Sequence, residues 1–345
     1  MKKHSKAGPA RQSDLDGHAA QVAVGGTRAT ANEAGGDKSP ETRKPGRGPK
    51  PEWLKTRLPG AGQYAKVRRL LQGLHLNTVC VEARCPNLGE CWGRGAVTVM
   101  ILGENCSRRC RFCSVGHGKL VAPDPEEPEA VASALAELGL SYAVLTSVTR
   151  DDLSDGGAAH WAAVIQAVRR AAPEIVIEVL VPDFGADEAA LELVWKARPD
   201  IFGHNLETVA RLSPAIRPQA DYRRSLKVLE ASAQAGMVTK SGLMVGLGET
   251  KEEVGDAMAD LRAVGVQIVT LGQYLQPTRK QIPVARYVTP EEFDWYRREG
   301  LAMGFSHVES GPLVRSSYRA DQGARAAGVL PGPEGSQVEK SSPVS

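Results

Sequence analysis

Aromatic residues and long apolar runs are both scarce in this chain. Phe, Trp and Tyr make up 5% of its 345 residues, which leaves few surfaces on which RNA bases could stack. No run of about 18 apolar residues offers a membrane span. The opening MKKHSKAGPARQSDLDG also lacks the apolar core of a secretory signal. The sequence therefore predicts neither a nucleic-acid partner nor a membrane partner.

The positive charge of the chain is confined to its first 50 residues. That segment holds ten Lys or Arg against five Asp or Glu, a balance of +5, so the formal net charge of +3 leaves −2 for residues 51–345. A basic body suited to nucleic acid is thus absent. The five acidic residues of this segment also argue against a mitochondrial transit peptide, because such peptides contain few acidic residues. We expect a cytoplasmic protein, whose six cysteines serve as metal ligands or catalytic groups and not as disulfides.

Composition divides the chain into five parts. Residues 1–50 have almost no large apolar side chain and cannot offset the entropy of ordering, so we predict a disordered basic tail. Residues 324–345 lack apolar periodicity and are predicted to be disordered as well. Between the tails we expect an N-terminal extension over 51–96, a barrel over 97–305 and a C-terminal extension over 306–323.

Short β-like runs alternate with amphipathic helical stretches, as in parallel βα units. Six such pairs predict an α/β fold, a partial (βα)6 TIM-like barrel of parallel strands. The predicted strands are Val97 to Leu102, Tyr142 to Ser147, Ile175 to Val181, Ile201 to Leu206, Val238 to Val245 and Ile268 to Tyr274. The predicted helices cover roughly 128–139, 157–172, 187–197, 221–235, 250–264 and 290–302. Polar residues at the strand ends favour an active site there.

All six cysteines lie between residues 80 and 113, in two triplets. Cys80, Cys85 and Cys91 form CxxxxCxxxxxC; Cys106, Cys110 and Cys113 form CxxxCxxC. Structural zinc usually takes four protein ligands, and His117 could complete the second triplet, although the spacing matches no common zinc pattern. Iron–sulfur clusters usually take four thiolates, so a triplet leaves one iron open to a substrate or cofactor.

The second triplet directly follows the apolar strand VTVMIL, and Phe112 stands between its last two cysteines. This CxxxCxxC pattern after a first strand is typical of radical S-adenosylmethionine enzymes, which the segment resembles. The resemblance implies that Cys106, Cys110 and Cys113 ligate three irons of a [4Fe-4S] cluster, while the fourth iron chelates S-adenosylmethionine. One electron then cleaves the sulfonium and yields a 5′-deoxyadenosyl radical. The cofactor supplies this chemistry, and the protein supplies position and a dry cavity.

The first triplet narrows the resemblance to one family. VEARCPNLGECW around it, and RSSY at Arg315 to Tyr318, resemble the lipoyl synthases. TSVTRDDLSDGGAAHW, GLMVGLGET and LQPTRKQIPVARYVTPEEF fit the same family, and the resemblance covers roughly residues 52–323. It implies an auxiliary [4Fe-4S] cluster held by Cys80, Cys85, Cys91 and Ser317. A serine oxygen is a poorer partner for such a cluster than a thiolate, which suits a cluster that is dismantled to supply sulfur.

The implied reaction inserts sulfur at C6 and C8 of an octanoyl chain that is amide-linked to a lysine of a lipoyl carrier domain. Those C–H bonds are unactivated, so no side-chain acid or base could ionise them, and a radical is the sensible route. The implied carriers are 2-oxoacid dehydrogenase E2 subunits and the glycine cleavage H protein. An electron donor such as flavodoxin or ferredoxin and a cluster-repair protein are implied as further partners.

Roles for other polar residues rest on position. Ser147, Asn205 and Glu207 lie at predicted strand ends, where enzymes of this class bind S-adenosylmethionine; each could equally be structural. Gly246 and Gly248 could let the backbone approach the adenine, although a loop glycine more often serves only a turn. We also expect Phe112 beside the cofactor. Arg286 and Tyr287 are candidate substrate contacts, but Arg286 could instead hold a carboxylate.

Three other readings remain open. Biotin synthase-like enzymes and tRNA methylthiotransferases also insert sulfur by radical chemistry, but they use different auxiliary ligands, and the slightly acidic body argues against a tRNA substrate. A zinc-stabilised RNA-binding module has thin support in the basic tail. Under the cluster interpretation, anaerobically purified protein is brown and contains about eight irons.

Overall fold

The central element of the fold is one sheet of parallel strands. A computed structural model of the chain describes residues 50–55, 61–73, 76–82, 85–93 and 96–331. Residues 1–49 of the predicted basic tail lie outside the described residues. In chain order the described strands are β1 (Asn77–Thr78), β2 (Thr98–Ile101), β3 (Tyr142–Ser147), β4 (Val176–Leu180), β5 (Ile201–Gly203), β6 (Val238–Val245), β7 (Ile268–Gln273) and β8 (His307–Gly311).

The strands pair in sequence order, as in a barrel that has not closed. From β2 to β8 every neighbouring pair is parallel, and only β1 runs antiparallel to β2. Within the described residues, no ladder joins β8 back to the first strands. The register aligns the carboxyl ends of neighbours, for example Ile101 with Ser147 and Val245 with Gln273. Side chains that follow these ends therefore meet at one mouth of the partial barrel.

The predicted α/β partial barrel is confirmed, and all six predicted strands are present. Two further strands are not among those predictions. β1 has only two residues, and β8 contains a single apolar residue, Val308, so neither carries an apolar pattern. Because β8 pairs with β7 over five residues, the sheet extends past residue 305, where we expected the barrel to end.

All six predicted helices are present on the outer face of the sheet, and the described residues contain five more α-helices. In chain order they are α1 (Ala61–Gly73), α2 (Val79–Glu82), α3 (Leu88–Gly93), α4 (Glu127–Leu138), α5 (Ala158–Ala171), α6 (Glu188–Lys196), α7 (Ser213–Ile216), α8 (Tyr222–Gln234), α9 (Lys251–Ala263), α10 (Pro290–Ala302) and α11 (Ala320–Ala326). α9 begins with a capping box in which Thr250 and Glu253 satisfy each other's backbone N–H groups. Among the described helices, none is long and apolar enough to cross a membrane.

Two apolar clusters hold the helices on the sheet. The larger one packs α4, α5 and α6 against β2 to β5, and Trp161 and Phe202 are fully buried within it. The second packs α9 and α10 against β6 to β8, around Phe293 and Tyr296. Burial of apolar surface on this scale is the dominant stabilising term for the barrel.

The expected onset of the C-terminal tail at residue 324 is wrong. α11 runs through Ala326, and the described chain continues to residue 331. Ala324 is fully buried with Ile201 and Ile268, and Val329 and Leu330 pack against the same cluster. Small side chains with weak periodicity bury well here because they fit against the N-terminal ends of β5 and β7, where Ile201 and Ile268 lie. The rest of the predicted tail, residues 332–345, lies outside the described residues.

Candidate active site

The loop that follows β2 carries the second cysteine triplet to the mouth of the barrel. Its shape is set by contacts within the loop and with the segments that follow β3 and β5. The Cys106 N–H donates to Gly116 O at 2.9 Å, and the Thr149 N–H after β3 donates to Cys106 Sγ at 3.3 Å. Further along, the Arg111 N–H donates to Ile216 O at 2.9 Å. The loop is thus held from both sides before any ligand binds.

Arg108 is the main side-chain anchor of this loop. Its guanidinium donates to both oxygens of Asp183, at 2.8 and 2.7 Å, and to both oxygens of Asp151, at 2.9 and 2.8 Å. Asp183 is fully buried and also accepts from Arg224 Nε at 2.9 Å. Burial alone would raise the pKa of Asp183, but the hydrogen bonds and charge of Arg108 hold that pKa well below its usual range. Bidentate pairing of this kind fixes orientation as well as adding energy.

Asp183→Asn is expected to destabilise the fold by about 3 kcal/mol or more, because it leaves the buried Arg108 guanidinium short of a carboxylate. Glu129→Gln is the matched control, since the Glu129–Arg170 pair is well exposed on both sides and such pairs contribute at most about 1 kcal/mol. Thermal unfolding of anaerobic protein measures both. Equal shifts in Tm for the two variants would contradict an anchoring role for Asp183.

The three thiols of this loop, Cys106, Cys110 and Cys113, lie close enough to influence one another. Burial raises the pKa of Cys110 and raises that of Cys113 to about 12, and neighbouring thiols of the triplet push both further upward. The protein alone therefore disfavours three thiolates, and a bound cationic metal group would offset that cost. Among the described residues, no three His, Cys, Asp or Glu side chains converge closely enough to hold a single metal ion.

Two of the residues predicted to bind S-adenosylmethionine lie beside this triplet. Glu207 exerts an electrostatic influence on Cys110 and Cys113, and burial raises the pKa of Glu207 itself. The carboxamide of Asn205 donates to Glu207 Oε1 at 3.1 Å. Ser147 ends β3, and its buried hydroxyl has no hydrogen-bond partner among the described residues. A buried hydroxyl without a partner is costly, so this one fits a bound polar ligand.

Arg217 is a site residue that the sequence analysis missed. It is buried, its Nη1 donates to the carbonyls of Asn205 and Leu206, and its Nε has no partner among the described residues. Its charge lowers the pKa of Cys110 against the larger effect of burial. In the sequence Arg217 lies in the run AIRPQ after β5, which has the composition of an ordinary loop and gives no sign of a buried charge. A buried guanidinium with a free N–H fits an anionic ligand group.

The glycines of GLMVGLGET serve the turn after β6. Gly246 has φ of +94°, and a Cβ at this position would meet Gln273 Nε2 at 2.2 Å and Arg286 O at 2.5 Å. Gly248 has φ of +110°, and a Cβ there would make an ordinary contact with Ala285 Cβ at 3.9 Å. Both glycines are therefore explained by backbone geometry, and an approach to adenine stays a prediction. Phe112 packs on the apolar cluster that includes Leu247, beside this turn.

Arg286 holds a carboxylate, as the alternative interpretation expected. Its two Nη atoms each donate to Glu292 at 2.7 Å, and its Nη2 also lies 4.0 Å from Glu249. These contacts, with Glu292 first, raise the pKa of Arg286. Tyr287 packs on the same apolar cluster as Phe112. The substrate roles of Arg286 and Tyr287 stay predictions.

A second site lies at the opposite end of the barrel, where the strands begin. A cavity of about 180 Å³ is lined by Cys80, Cys85, Cys91 and Ser317, together with Thr98 of β2. One water needs only about 10–15 Å³ of such space, so the cavity suits a group of several atoms. Burial raises the pKa of the Cys80 thiol to about 11. Here too, the donor set fits a cluster that stabilises thiolates.

The RSSY segment runs between the two sites. Ser317 lines the cavity, whereas the neighbouring Ser316 accepts from Asn205 Nδ2 at 2.7 Å on the radical side. Gly272 in β7 makes this path possible, because a Cβ there would lie 2.0 Å from Val314 O. Arg315 lines the cavity as well, and its charge interacts with Cys85. Adjacent serines thus face the two cysteine triplets.

A buried ion pair in the barrel interior was also missed. Lys240 Nζ donates to both oxygens of Glu178, at 2.7 and 2.8 Å, and the hydroxyl of Tyr142 donates to the same carboxylate. Tyr142 also lines the cavity. A signal was present for Glu178, which is the only polar residue of β4 (VIEVL), because a charge inside an apolar strand is costly unless it is paired.

Comparisons with known proteins agree with this geometry. The radical SAM superfamily matches residues 100–261, and the N-terminal domain of lipoyl synthase matches residues 2–85. A lipoyl synthase of Rubrobacter xylanophilus is 54% identical over 82% of this chain and 89% of its own length. Those of Chlorobium limicola and Thermus thermophilus are 54% and 53% identical, each over 79% of this chain and over 94% and 86% of their own lengths.

Among solved structures, Streptococcus suis SuiB bound to S-adenosylmethionine has a TM-score of 0.52 at 12% identity, over 72% of this chain and 61% of that one. This chain thus spans about three fifths of SuiB, and the likeness concerns the fold alone. Fold and site together define a radical S-adenosylmethionine enzyme, which uses an iron–sulfur cluster and S-adenosylmethionine. Within that class, the chain belongs to the lipoyl synthase family.

Proposed function

We propose that this enzyme inserts sulfur at C6 and C8 of an octanoyl chain carried on a lysine of a lipoyl carrier domain, with one cluster at each cysteine triplet. The observation that carries the proposal is the pair of separate triplet sites joined by the RSSY segment. A radical enzyme that needs only one cluster has no use for the second site. Sulfur insertion requires both a radical and a sulfur source, which matches two sites.

At the mouth of the barrel, Cys106, Cys110 and Cys113 hold the radical cluster. When bound there and reduced, such a cluster would supply the one electron with which S-adenosylmethionine is cleaved to methionine and a 5′-deoxyadenosyl radical. Asn205 and Glu207 are placed to hydrogen-bond the cofactor, and their position beside the triplet supports this role. The unpartnered hydroxyl of Ser147 supports a third contact there.

At the opposite end, Cys80, Cys85, Cys91 and Ser317 hold the auxiliary cluster, which is the sulfur source. The cavity that all four residues line supports this assignment. Ser317 supplies an oxygen where the other ligands supply sulfur, so its bond is the easiest to break. Tyr142 and Arg315 line the same cavity, and the charge of Arg315 interacts with Cys85.

The lipoyl carriers we propose are 2-oxoacid dehydrogenase E2 subunits and the glycine cleavage H protein. A flavodoxin or ferredoxin supplies electrons, and a repair protein rebuilds the auxiliary cluster after each turnover. The cytoplasm is the proposed compartment, because six cysteines that all serve as cluster ligands need a reducing environment. Family membership supports a lipoyl carrier as substrate.

An anaerobic assay on an octanoylated carrier peptide tests the proposal. We expect lipoyl product, detected by mass, and two molecules of 5′-deoxyadenosine per lipoyl group, because each C–H bond needs its own radical. The purified protein should be brown, with about eight irons per chain. Colourless protein with bound zinc, or octanoyl peptide left unchanged while S-adenosylmethionine is cleaved, would contradict it.

A further inference from the structure

Four exposed basic side chains surround the loop of the radical site. Arg109 and Arg111 flank Cys110 within the loop, and Arg279 and Lys280 lie in the turn that follows β7. We call these four residues the cationic collar. None of them forms an ion pair with another described residue. Neither loop segment, 106–123 or 274–290, contains an Asp or a Glu.

Backbone contacts bring the two halves of the collar together. The Ile282 N–H donates to Arg111 O at 3.1 Å, and Gln281 Nε2 donates to Cys113 O at 2.9 Å. Lys280 lies two residues before Ile282, so its Cα is within about 12 Å of that of Arg111. By the same chain geometry, the Cα atoms of the collar lie within roughly 25 Å of one another. At about 0.01 M salt the Debye length is about 30 Å, so the four charges act on an approaching protein as one patch; near physiological salt it is about 8 Å, and each charge acts mainly on groups close to it.

The collar contrasts with the rest of the body, since residues 51–345 together carry a net charge of −2. A local positive patch on a slightly acidic body raises the association rate of acidic partners and orients them. The position of the collar indicates what it binds, because two of its arginines adjoin a proposed ligand of the radical cluster. A protein that docks on the collar is brought directly beside that cluster.

We propose that the cationic collar docks the acidic face of the protein that delivers electrons to the radical cluster. This inference rests on the proposed function, which requires one electron for each S-adenosylmethionine cleaved. In this step the reduced donor loses one electron and the cluster gains it. No bond is formed or broken, and no proton is transferred. The donor is a low-potential one-electron carrier, such as a flavodoxin.

Geometry favours an electron donor over the lipoyl carrier as the occupant. Electron transfer needs the two redox groups to be near each other, and the collar adjoins Cys110 and Cys113. The carrier instead presents its octanoyl chain on a long lysine arm, which can reach the barrel from a more distant docking point. Transient redox complexes also bury little surface, usually below about 1,200 Å² in total, so a patch of four charges is sufficient.

Binding of an acidic flavodoxin to the holoenzyme tests the proposal directly. The test variant is Arg279→Glu combined with Lys280→Glu, because both residues lie outside the cluster loop; Arg109→Glu is a second, independent variant. Arg298→Glu on α10 is the matched control, since Arg298 is also exposed and has no ion pair among the described residues. Calorimetry at low and high salt measures the Kd of each protein.

We expect both collar variants to weaken flavodoxin binding about tenfold or more at low salt, and the salt dependence of binding to shrink. With dithionite as reductant, all proteins should cleave S-adenosylmethionine at the same rate, because a small reductant needs no docking surface. Unchanged affinity, equal loss in Arg298→Glu, or a loss confined to binding of the octanoylated carrier domain overturns the collar assignment. If the parent fails to cleave S-adenosylmethionine with dithionite, the proposed function fails, and the collar is judged by the binding data alone.

Discussion

Cys110→Ala is expected to abolish cleavage of S-adenosylmethionine while leaving the auxiliary cluster in place. Cys110 is one of three thiolates proposed for the radical cluster, and its loss leaves only two protein ligands for a cube that normally takes at least three. Iron content should fall from about eight to about four per chain. Formation of 5′-deoxyadenosine with dithionite, together with iron and sulfide analysis, measures the result.

Cys85→Ala is the matched control for that experiment. It should lose the other four irons and all sulfur insertion but retain cleavage of S-adenosylmethionine. The reason is structural, because the two triplets rest on different supports. Cys110 lies in the loop held by Arg108, Thr149 and Ile216, whereas Cys85 lies between α2 and α3. Loss of all eight irons in either variant would show that the two sites do not assemble separately.

Local signals in the sequence were enough to predict the elements of the barrel. β3 and β6 have the predicted bounds, and α10 begins at Pro290 after the capping residue Thr289. Capping and apolar periodicity act within a few residues, so they can be read from sequence alone. β8 carries almost no such pattern, because it lies at the open edge of the sheet and is only partly buried.

The two cysteine triplets could be singled out in the sequence for a different reason. Their cysteines are close in sequence, and rare residue types at short spacing stand out. Contacts between distant parts of the chain have no comparable pattern in the sequence. Arg108 and Asp183 are 75 positions apart, and Asn87 Nδ2 donates to Leu313 O across 226 positions. Such pairs depend on how the barrel brings its strand ends together, which local patterns do not encode.

The roles of Ser316 and Ser317 illustrate this limit. The RSSY motif marks both, and the sequence alone offers no physical reason to choose between them. The structure separates them, since the hydroxyl of Ser316 is occupied by Asn205 and the side chain of Ser317 lines the auxiliary cavity. This geometry supports Ser317 as the fourth ligand and gives Ser316 a positioning role on the radical side.

Ser317→Ala is expected to reduce lipoyl product at least about tenfold while S-adenosylmethionine is still cleaved. The alanine cannot complete the auxiliary cluster, and the radical site lies at the other end of the barrel. Ser316→Ala is the neighbouring comparison. It removes one neutral hydrogen bond to Asn205, worth about 0.5–1.5 kcal/mol, so the Kd of S-adenosylmethionine should rise about two- to twelvefold. Its yield at saturating cofactor should match the parent's.

Ser317→Cys separates two properties of the auxiliary site, the binding of the cluster and the release of its sulfur. A thiolate is a softer ligand than a serine oxygen and binds iron in a sulfide cluster more tightly. The variant should therefore keep about eight irons and cleave S-adenosylmethionine like the parent, but insert sulfur more slowly. Single-turnover product formation with an octanoylated peptide, set beside iron content, measures both properties. Parent-like sulfur insertion in both Ser317→Ala and Ser317→Cys would rule out Ser317 as the labile ligand and return Ser316 to consideration.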